Sequence, residues 1–187
     1  MKEIQIGLIG LRTVGCGLFK VLEHNREMLQ QRVGVPLRLK RVVDIDLERP
    51  RPVSLPQEIL STQVEDVLAD EEIGIVVELI GGMEPAKTFL LESMKRGKHV
   101  VTANKALLAV HGSELFEAAR EHQVNIAFEA AVGGGIPLIR SLREGLIANR
   151  IGHIYGILNG TANYILTRMA REGTTFAEAL SEAQAHG

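Results

Sequence analysis

The sequence has little that is aromatic: no tryptophan, two tyrosines and five phenylalanines in 187 residues. Its core must therefore be aliphatic, and 45% hydrophobic residues are enough for a sizeable one. Cysteine occurs once, as Cys16, which rules out an internal disulfide and points to a reducing compartment, the cytoplasm. No charge of one sign dominates. Twenty-one Lys and Arg against 23 Asp and Glu give a net charge of −2, without the basic excess that a nucleic-acid partner requires. There is no apolar run long enough to span a membrane, and no basic and apolar leader ahead of the first strand. No histidine pair has the H-E-x-x-H spacing of a zinc site. The length fits one ordinary domain, or one domain with part of a second.

What is present is a rhythm. Short apolar runs at 4–9, 37–43, 73–79, 98–101 and 124–128 read as strands. Amphipathic stretches at 14–32, 85–96 and 112–121 read as helices, with a short helix or turn at 63–68. "DLERPRPVSLP" has three prolines and reads as loop. Strand and helix alternating in this way predict an α/β fold, a doubly wound parallel sheet covered on both faces, over residues 1–130. The rhythm changes after Glu129. A glycine-rich turn at 131–137, a helix from 137 to 146, a strand at 153–158, a helix at 163–170 and a last helix capped by Thr175 and Glu178 follow. One strand with three helices is thin for a whole α+β domain. Residues 131–187 are therefore expected to be the incomplete start of a second domain.

The first strand runs into "GLRTVG", 10–15. A dinucleotide fold wants Gly-x-Gly-x-x-Gly there, with a helix following. Gly10 serves the tight turn and Gly15 the close packing of helix on sheet. Arg12 stands where the middle glycine would let the backbone approach a pyrophosphate. It either displaces the cofactor outward or adds a positive charge beside its phosphates, an adenosine 2′-phosphate included. Asp44 ends the second strand, 34 positions after Gly10 against a usual spacing of about 20. An acid there accepts a ribose 2′-hydroxyl and repels a 2′-phosphate, which favours NAD; Arg12, with Arg41 or Arg49, argues the other way. The bland alternative is a tight turn in some other α/β protein.

Gly81 and Gly82 follow the third strand at its carboxyl end, where open α/β sheets bind ligands. They permit a ribose or phosphate to come close, or merely turn the chain. "VVTANKALL", 100–108, sets Lys105 beside Thr102 and Asn104 between apolar runs at the same edge. A lysine enclosed there donates to a substrate oxygen, or moves a proton if burial lowers its pKa; the plain reading is a loop lysine. "EAAVGGG", 129–135, offers a carboxylate and a run of carbonyls, which suit a monovalent or weakly held cation. "GILNGTANYI", 156–165, brings Asn159, Gly160 and Thr161 to a helix start, an anion site or a simple cap.

Taken together, "GLIGLRTVG", "VVELIGGMEPA", "GKHVVTANKALLAVHG", "FEAAVGGGIPLI" and "GILNGTANYILTRM" resemble the homoserine dehydrogenase family along essentially the whole chain. The resemblance implies a Rossmann-type nucleotide domain followed by the first part of a catalytic and dimerisation domain. It implies NAD(P)-dependent interconversion of L-homoserine and L-aspartate 4-semialdehyde, on the route to threonine, methionine and isoleucine. Gly10, Thr13, Val14 and Gly15, with Arg12, Asp44, Gly81, Gly82 and Thr102 beside them, would line the NAD or NADP site. Lys105 matches the family's active-site lysine, near nicotinamide and substrate. Gly160 and Thr161 match the loop near cofactor and substrate. Glu129, Val132, Gly134 and Ile136 match its sodium site, mostly through backbone oxygens. The family pattern continues past Gly187 with further acidic and lysine side chains for substrate and proton transfer. The full-length protein is expected to be a homodimer or higher homo-oligomer acting on a small molecule, with no nucleic acid or membrane partner. The competing readings are another small-molecule dehydrogenase and a non-catalytic nucleotide-binding module.

Overall fold

The structure, a computed structural model, describes residues 3–157 and 159–186. Contacts divide it into two compact units, 1–143 and 144–187. In the first, six parallel strands form one sheet in the order β3-β2-β1-β4-β5-β6: β1 (Ile4–Ile9), β2 (Leu37–Val43), β3 (Leu60–Ser61), β4 (Ile73–Glu78), β5 (His99–Thr102) and β6 (Ile126–Ala127). The order reverses between β1 and β4. Their carboxyl ends therefore open the crevice where such sheets take ligands.

The pleat explains why the apolar runs are nearly continuous. Ile6 and Leu8 of β1 and Val42 of β2 pack with Cys16 and Leu22 of α1 (Thr13–His24). Their neighbours Ile9 and Val43 point to the other face. There they meet Val67 of α3 (Glu65–Leu68), Leu90 and Met94 of α4 (Ala86–Lys95), and Leu107 and Leu115 of α5 (Lys105–Glu121). Both faces are dry, as a parallel sheet requires. Gly7 lets α3 lie against β1, since a Cβ there would stand 2.5 Å from Val67 Cγ1.

Up to Gly145, four elements differ from the sequence reading. The long first helix is two, α1 and α2 (Arg26–Val33), separated at Asn25, whose backbone leaves the helical region and whose side chain donates to the Val21 carbonyl. Two-residue β3 follows the proline-rich loop, in a stretch to which the sequence reading gave no element; it exists by pairing Leu60 and Ser61 with Val42 and Val43. Helix α5 starts at Lys105, seven residues before the expected Gly112, because Asn104 caps it. The helix expected over 137–146 is one turn, α6 (Leu138–Arg140), continued as a π-turn over Ser141–Gly145.

In the second unit α7 (Gly160–Glu172) and α8 (Phe176–His186) form a helical hairpin around Ile165, Ala179 and Ala183. Thr175 and Glu178 make the expected reciprocal cap. Residues 153–157 form no strand, and Leu158, the last of that expected strand, lies outside the described residues. A strand needs a partner for its amides, and this segment has none among the described residues. No described helix is long and apolar enough to cross a membrane.

Candidate functional site

The glycine turn has the geometry the fingerprint asks for. Gly10 sits at φ +105°, and a Cβ on it would stand 2.7 Å from the Leu79 carbonyl carbon. A Cβ on Gly15 would lie 2.1 Å from the Gly10 carbonyl oxygen, so only glycine lets α1 approach the turn. Helix α1 begins with Arg12 as its N-cap, extended and without a side-chain cap. The amides of its first turn thus face outward at the positive end of the dipole, a ready site for a phosphate. Thr13 and Val14 are exposed there, while Cys16 is buried and its thiol donates to the Leu11 carbonyl at 3.5 Å. A cleft of about 490 Å³ opens beside the turn, lined by Gly10, Arg12, Asp44, Gly81, Pro85 and Phe89 among others. These residues fit a dinucleotide: the backbone is bare where a pyrophosphate must come close, and the wall beyond is apolar.

Asp44 lines that cleft, and its carboxylate is already engaged. One oxygen accepts from the Leu11 amide at 2.6 Å, the other from the Asp46 amide at 3.0 Å. Arg51 stands 3.5 Å away; both side chains are only about a tenth exposed. Arg51 also donates to the carbonyls of Leu11, Leu47 and Arg49, each at 3.0 Å, and to that of Asp46. It fastens the proline-rich loop to the glycine turn. Sequence reading passed over Arg51, which sits in a stretch that looked like plain loop. The two flanking prolines were the available signal, since a chain with few free amides relies on side-chain donors. Arg41 donates to the Glu58 carbonyl instead and does not line the cleft.

At the next strands a buried chain of hydrogen bonds joins the two turns. Glu78, fully buried at the end of β4, accepts from the Ile80 and Gly81 amides and from the Thr102 hydroxyl at 2.6 Å. Thr102 in turn accepts from the Asn104 amide. Asn104 donates to the Gly82 carbonyl at 2.6 Å and caps α5 by accepting from Leu107. Gly81 and Gly82 lie at φ +75° and +74°, and a Cβ on either would meet nothing closer than the Glu84 carbonyl oxygen, 4.0 Å from Gly82, so their backbone demands glycine and crowding does not. Thr102 is buried with its hydroxyl given to Glu78; it organises the edge from behind. Glu78 was not singled out from sequence, being one acid at the end of an apolar run.

Lys105 follows directly as the first residue of α5, and it is exposed. The expected enclosure by apolar neighbours fails because Ala106 is exposed and Leu107 turns to the core. A cation in the first turn of a helix opposes the dipole by about 0.3–1 kcal/mol, so stability does not account for it. The buried lysine is Lys98, one residue before β5, 3% exposed and donating to the carbonyls of Asp70 and Ile73 at 2.6 and 3.0 Å. Burial holds its ammonium below the usual lysine pKa.

Glu129 uses both carboxylate oxygens to accept from the Ile139 and Arg140 amides at 2.9 and 2.8 Å, which ties α6 to the turn that follows β6. The Glu129 and Ile136 carbonyls each accept one backbone bond, from Val132 and Leu138. Those of Val132 and Gly134 accept none among the described residues, so this loop has main-chain oxygens to offer a cation. No cluster of three or more His, Cys, Asp or Glu side chains that could hold a metal occurs among the described residues. In the second unit Gly160 and Thr161 open α7, capped by Asn159, whose side chain accepts from Ala162 at 2.8 Å.

Residues 10–129 match the family model of the homoserine dehydrogenase NAD-binding domain, and residues 137–187 match that of homoserine dehydrogenase. The chain is 48% identical to homoserine dehydrogenase of Bacillus subtilis over 98% of its own length and 42% of that protein's. It is 50% identical to that of Pseudomonas aeruginosa, over 100% and 43%. A crystal structure of homoserine dehydrogenase from Thiobacillus denitrificans superposes with a TM-score of 0.92 at 48% identity, covering 100% of this chain and 43% of that one. A hyperthermophilic archaeal homoserine dehydrogenase in complex with NADPH superposes at 0.81 with 26% identity, covering 99% and 61%. The chain thus spans less than half the length of its curated relatives. On the glycine turn, the sheet order and these matches, the chain belongs to the homoserine dehydrogenase family.

Proposed function

We propose that the protein carrying this chain catalyses the reversible NAD(P)-dependent oxidation of L-homoserine to L-aspartate 4-semialdehyde, serving threonine, methionine and isoleucine biosynthesis. The observation that carries the reading is the carboxyl edge of the sheet. There the uncapped α1 amides and the Glu78–Thr102–Asn104 chain bring a dinucleotide cradle and the start of the Lys105 helix to one side of the first unit. A bound nicotinamide supplies the hydride acceptor; the protein supplies position and charge.

In this reading Gly10, Thr13, Val14 and Gly15 take the pyrophosphate, Arg12 and Asp44 border the adenosine ribose, and the Gly81–Gly82 turn borders the nicotinamide half. The Lys105 ammonium holds the substrate oxygen whose carbon changes oxidation state. Gly160 and Thr161 complete the substrate loop. Glu129, Val132, Gly134 and Ile136 hold a sodium ion through main-chain oxygens, residues 131–187 begin the catalytic and dimerisation domain, and the protein is a cytoplasmic homodimer or higher homo-oligomer.

The test is calorimetric titration of the full-length protein with NAD⁺ and NADP⁺, followed by homoserine oxidation. Lys105→Ala should abolish turnover with dinucleotide affinity retained. Unchanged turnover removes Lys105 from the chemistry, and turnover of other hydroxy acids but not homoserine makes the protein a different dehydrogenase.

A further inference from the structure

An acid at the end of the second strand ordinarily accepts a ribose 2′-hydroxyl and repels a 2′-phosphate. Asp44 holds that place and lines the cleft, yet its charge is not free. Leu11 and Asp46 amides donate to its two oxygens, and the Arg51 guanidinium lies 3.5 Å away with both side chains about nine-tenths covered. Between groups so shielded from solvent, attraction is strong and salt screens it little. Arg51 cannot swing aside, because four backbone carbonyls hold it in place. The other acid at the mouth, Asp46, faces Arg49 at 3.8 Å. Arg12 has no ion pair among the described residues, and with Arg49 it lines both this cleft and the neighbouring hollow that also holds Lys20. With both acids matched by arginines, Arg12 leaves the rim positive.

We propose that Arg51, acting through Asp44, sets the coenzyme balance of this protein: by neutralising the acid it lets the cleft accept a 2′-phosphorylated dinucleotide as well as an unphosphorylated one. Arg51 is a positioning residue in this scheme, and the inference rests on the dinucleotide reading above. It assigns the dual use to one buried ion pair at the base of the proline-rich loop, with Arg12 as the cation the 2′-phosphate meets.

The ratio of dissociation constants for NADP⁺ and NAD⁺, measured by titration on the full-length protein, decides the matter. Loss of loop structure weakens both ligands alike, whereas loss of the neutralising charge moves the ratio. The wild-type constants should lie within about tenfold of each other. Arg51→Gln should weaken NADP⁺ at least about tenfold more than NAD⁺, and Arg51→Lys, which keeps the charge without the fork, should restore the ratio. In an Asp44→Asn background Arg51→Gln should leave the ratio alone, since the coupling has lost its partner. A ratio untouched by Arg51→Gln overturns the proposal. So does a shift that survives in the Asp44→Asn background, because Arg51 would then act on the phosphate directly. If Arg51→Gln does not fold, Asp44→Asn alone decides: a ratio kept within about threefold supports the proposal, because the acid removed was already neutralised, and a move of about tenfold toward NADP⁺ overturns it, because the acid's charge then reached the phosphate. Wild-type protein that binds neither dinucleotide brings down the dinucleotide reading itself, and this inference with it.

Discussion

The two units treat similar aliphatic sequence in opposite ways. In the first, Leu8, Val76, Leu90, Leu107 and Leu115 are entirely buried, because a parallel sheet offers two faces and helices cover both. In the second, Ile147, Ile154, Tyr155 and Ile157 are 78%, 61%, 89% and 73% exposed, and the buried side chains are Ile165, Ala179 and Ala183. A two-helix hairpin has one seam, and small alanines fill it. Burial, and not composition, makes a residue count toward stability, so the same substitution should read differently in the two units.

The largest contrast is in truncation. Leu115→Ala should cost about 2–5 kcal/mol, as a leucine deleted from a closed core does. Ile154→Ala should stay within about 0.5 kcal/mol, as exposed positions do. Urea unfolding measures both, and equal losses would mean that Ile154 is as well covered as Leu115. Within the first unit neighbouring glycines differ as much. Gly15→Ala forces a Cβ onto the Gly10 carbonyl and should cost roughly 1–3 kcal/mol, with dinucleotide affinity lost as the turn moves. Gly17→Ala, two residues on in the same helix with nothing within 4 Å of the added atom, should instead gain roughly 0.5–1 kcal/mol. Opposite signs from neighbouring glycines are the expected outcome in melts of the two variants.

The same division explains what the sequence disclosed. Strands β1 and β4 were legible because each is mostly aliphatic with turn residues at its end, and β2 because Leu37, Leu39, Val42 and Val43 lead up to Asp44, a local pattern. Gly10 and Gly15 were legible because their chemistry, a positive φ and a close approach, belongs to single residues. Strand β3 and the hold of Arg51 on Asp44 were not, because pairing with distant Val42 and Val43 and bonding to scattered carbonyls leave no mark in the local sequence. The stretch at 153–158 had the composition of a strand, but a strand exists only with a neighbour to pair with. Lys105 follows β5 at the carboxyl edge as expected, but the apolar runs on either side do not enclose it, because it opens α5 and is exposed.

A smaller contrast comes from two asparagines that cap helices. Asn104 caps α5, is 8% exposed and also donates to the Gly82 carbonyl; Asn159 caps α7 and is exposed. Asn104→Ala should cost about 1–2 kcal/mol and Asn159→Ala about half a kcal/mol, both measured in denaturant. Asn104→Asp retains the cap and loses the donor to Gly82. Stability should then recover only in part, because the new carboxylate oxygen faces the Gly82 carbonyl to which Asn104 donates, and the start of α5 is no longer tied to the Gly81–Gly82 turn.

The smallest expected effect is electrostatic, and it differs between the units in its response to salt. Burial pushes the Asp70 carboxyl up, but hydrogen bonds from Lys40 and the Glu72 amide, with the charges of Lys40 and Lys98, outweigh it and hold the group below its ordinary 3.8. A folded value below the unfolded one means stability that is present above pH 3.8 and is lost as pH falls through the folded value. Glu182 on α8 is likewise held low, chiefly by the Arg168 guanidinium at 2.9 Å, with a side chain 39% exposed. Its contribution disappears in the same acid direction, but solvent reaches that pair and screens it. Asp70→Asn, at a pair whose side chains are 18% and 26% exposed, should therefore flatten the acid limb of the urea midpoint at low salt and keep more of that effect at high salt than Glu182→Gln does. Glu182→Gln should flatten it mainly at low salt, since added salt screens most of what that more open pair contributes. An Asp70 effect that salt removes as fully as that of Glu182 would place the Asp70 carboxylate in water, and the distinction between a covered unit and an open one would fail at that residue.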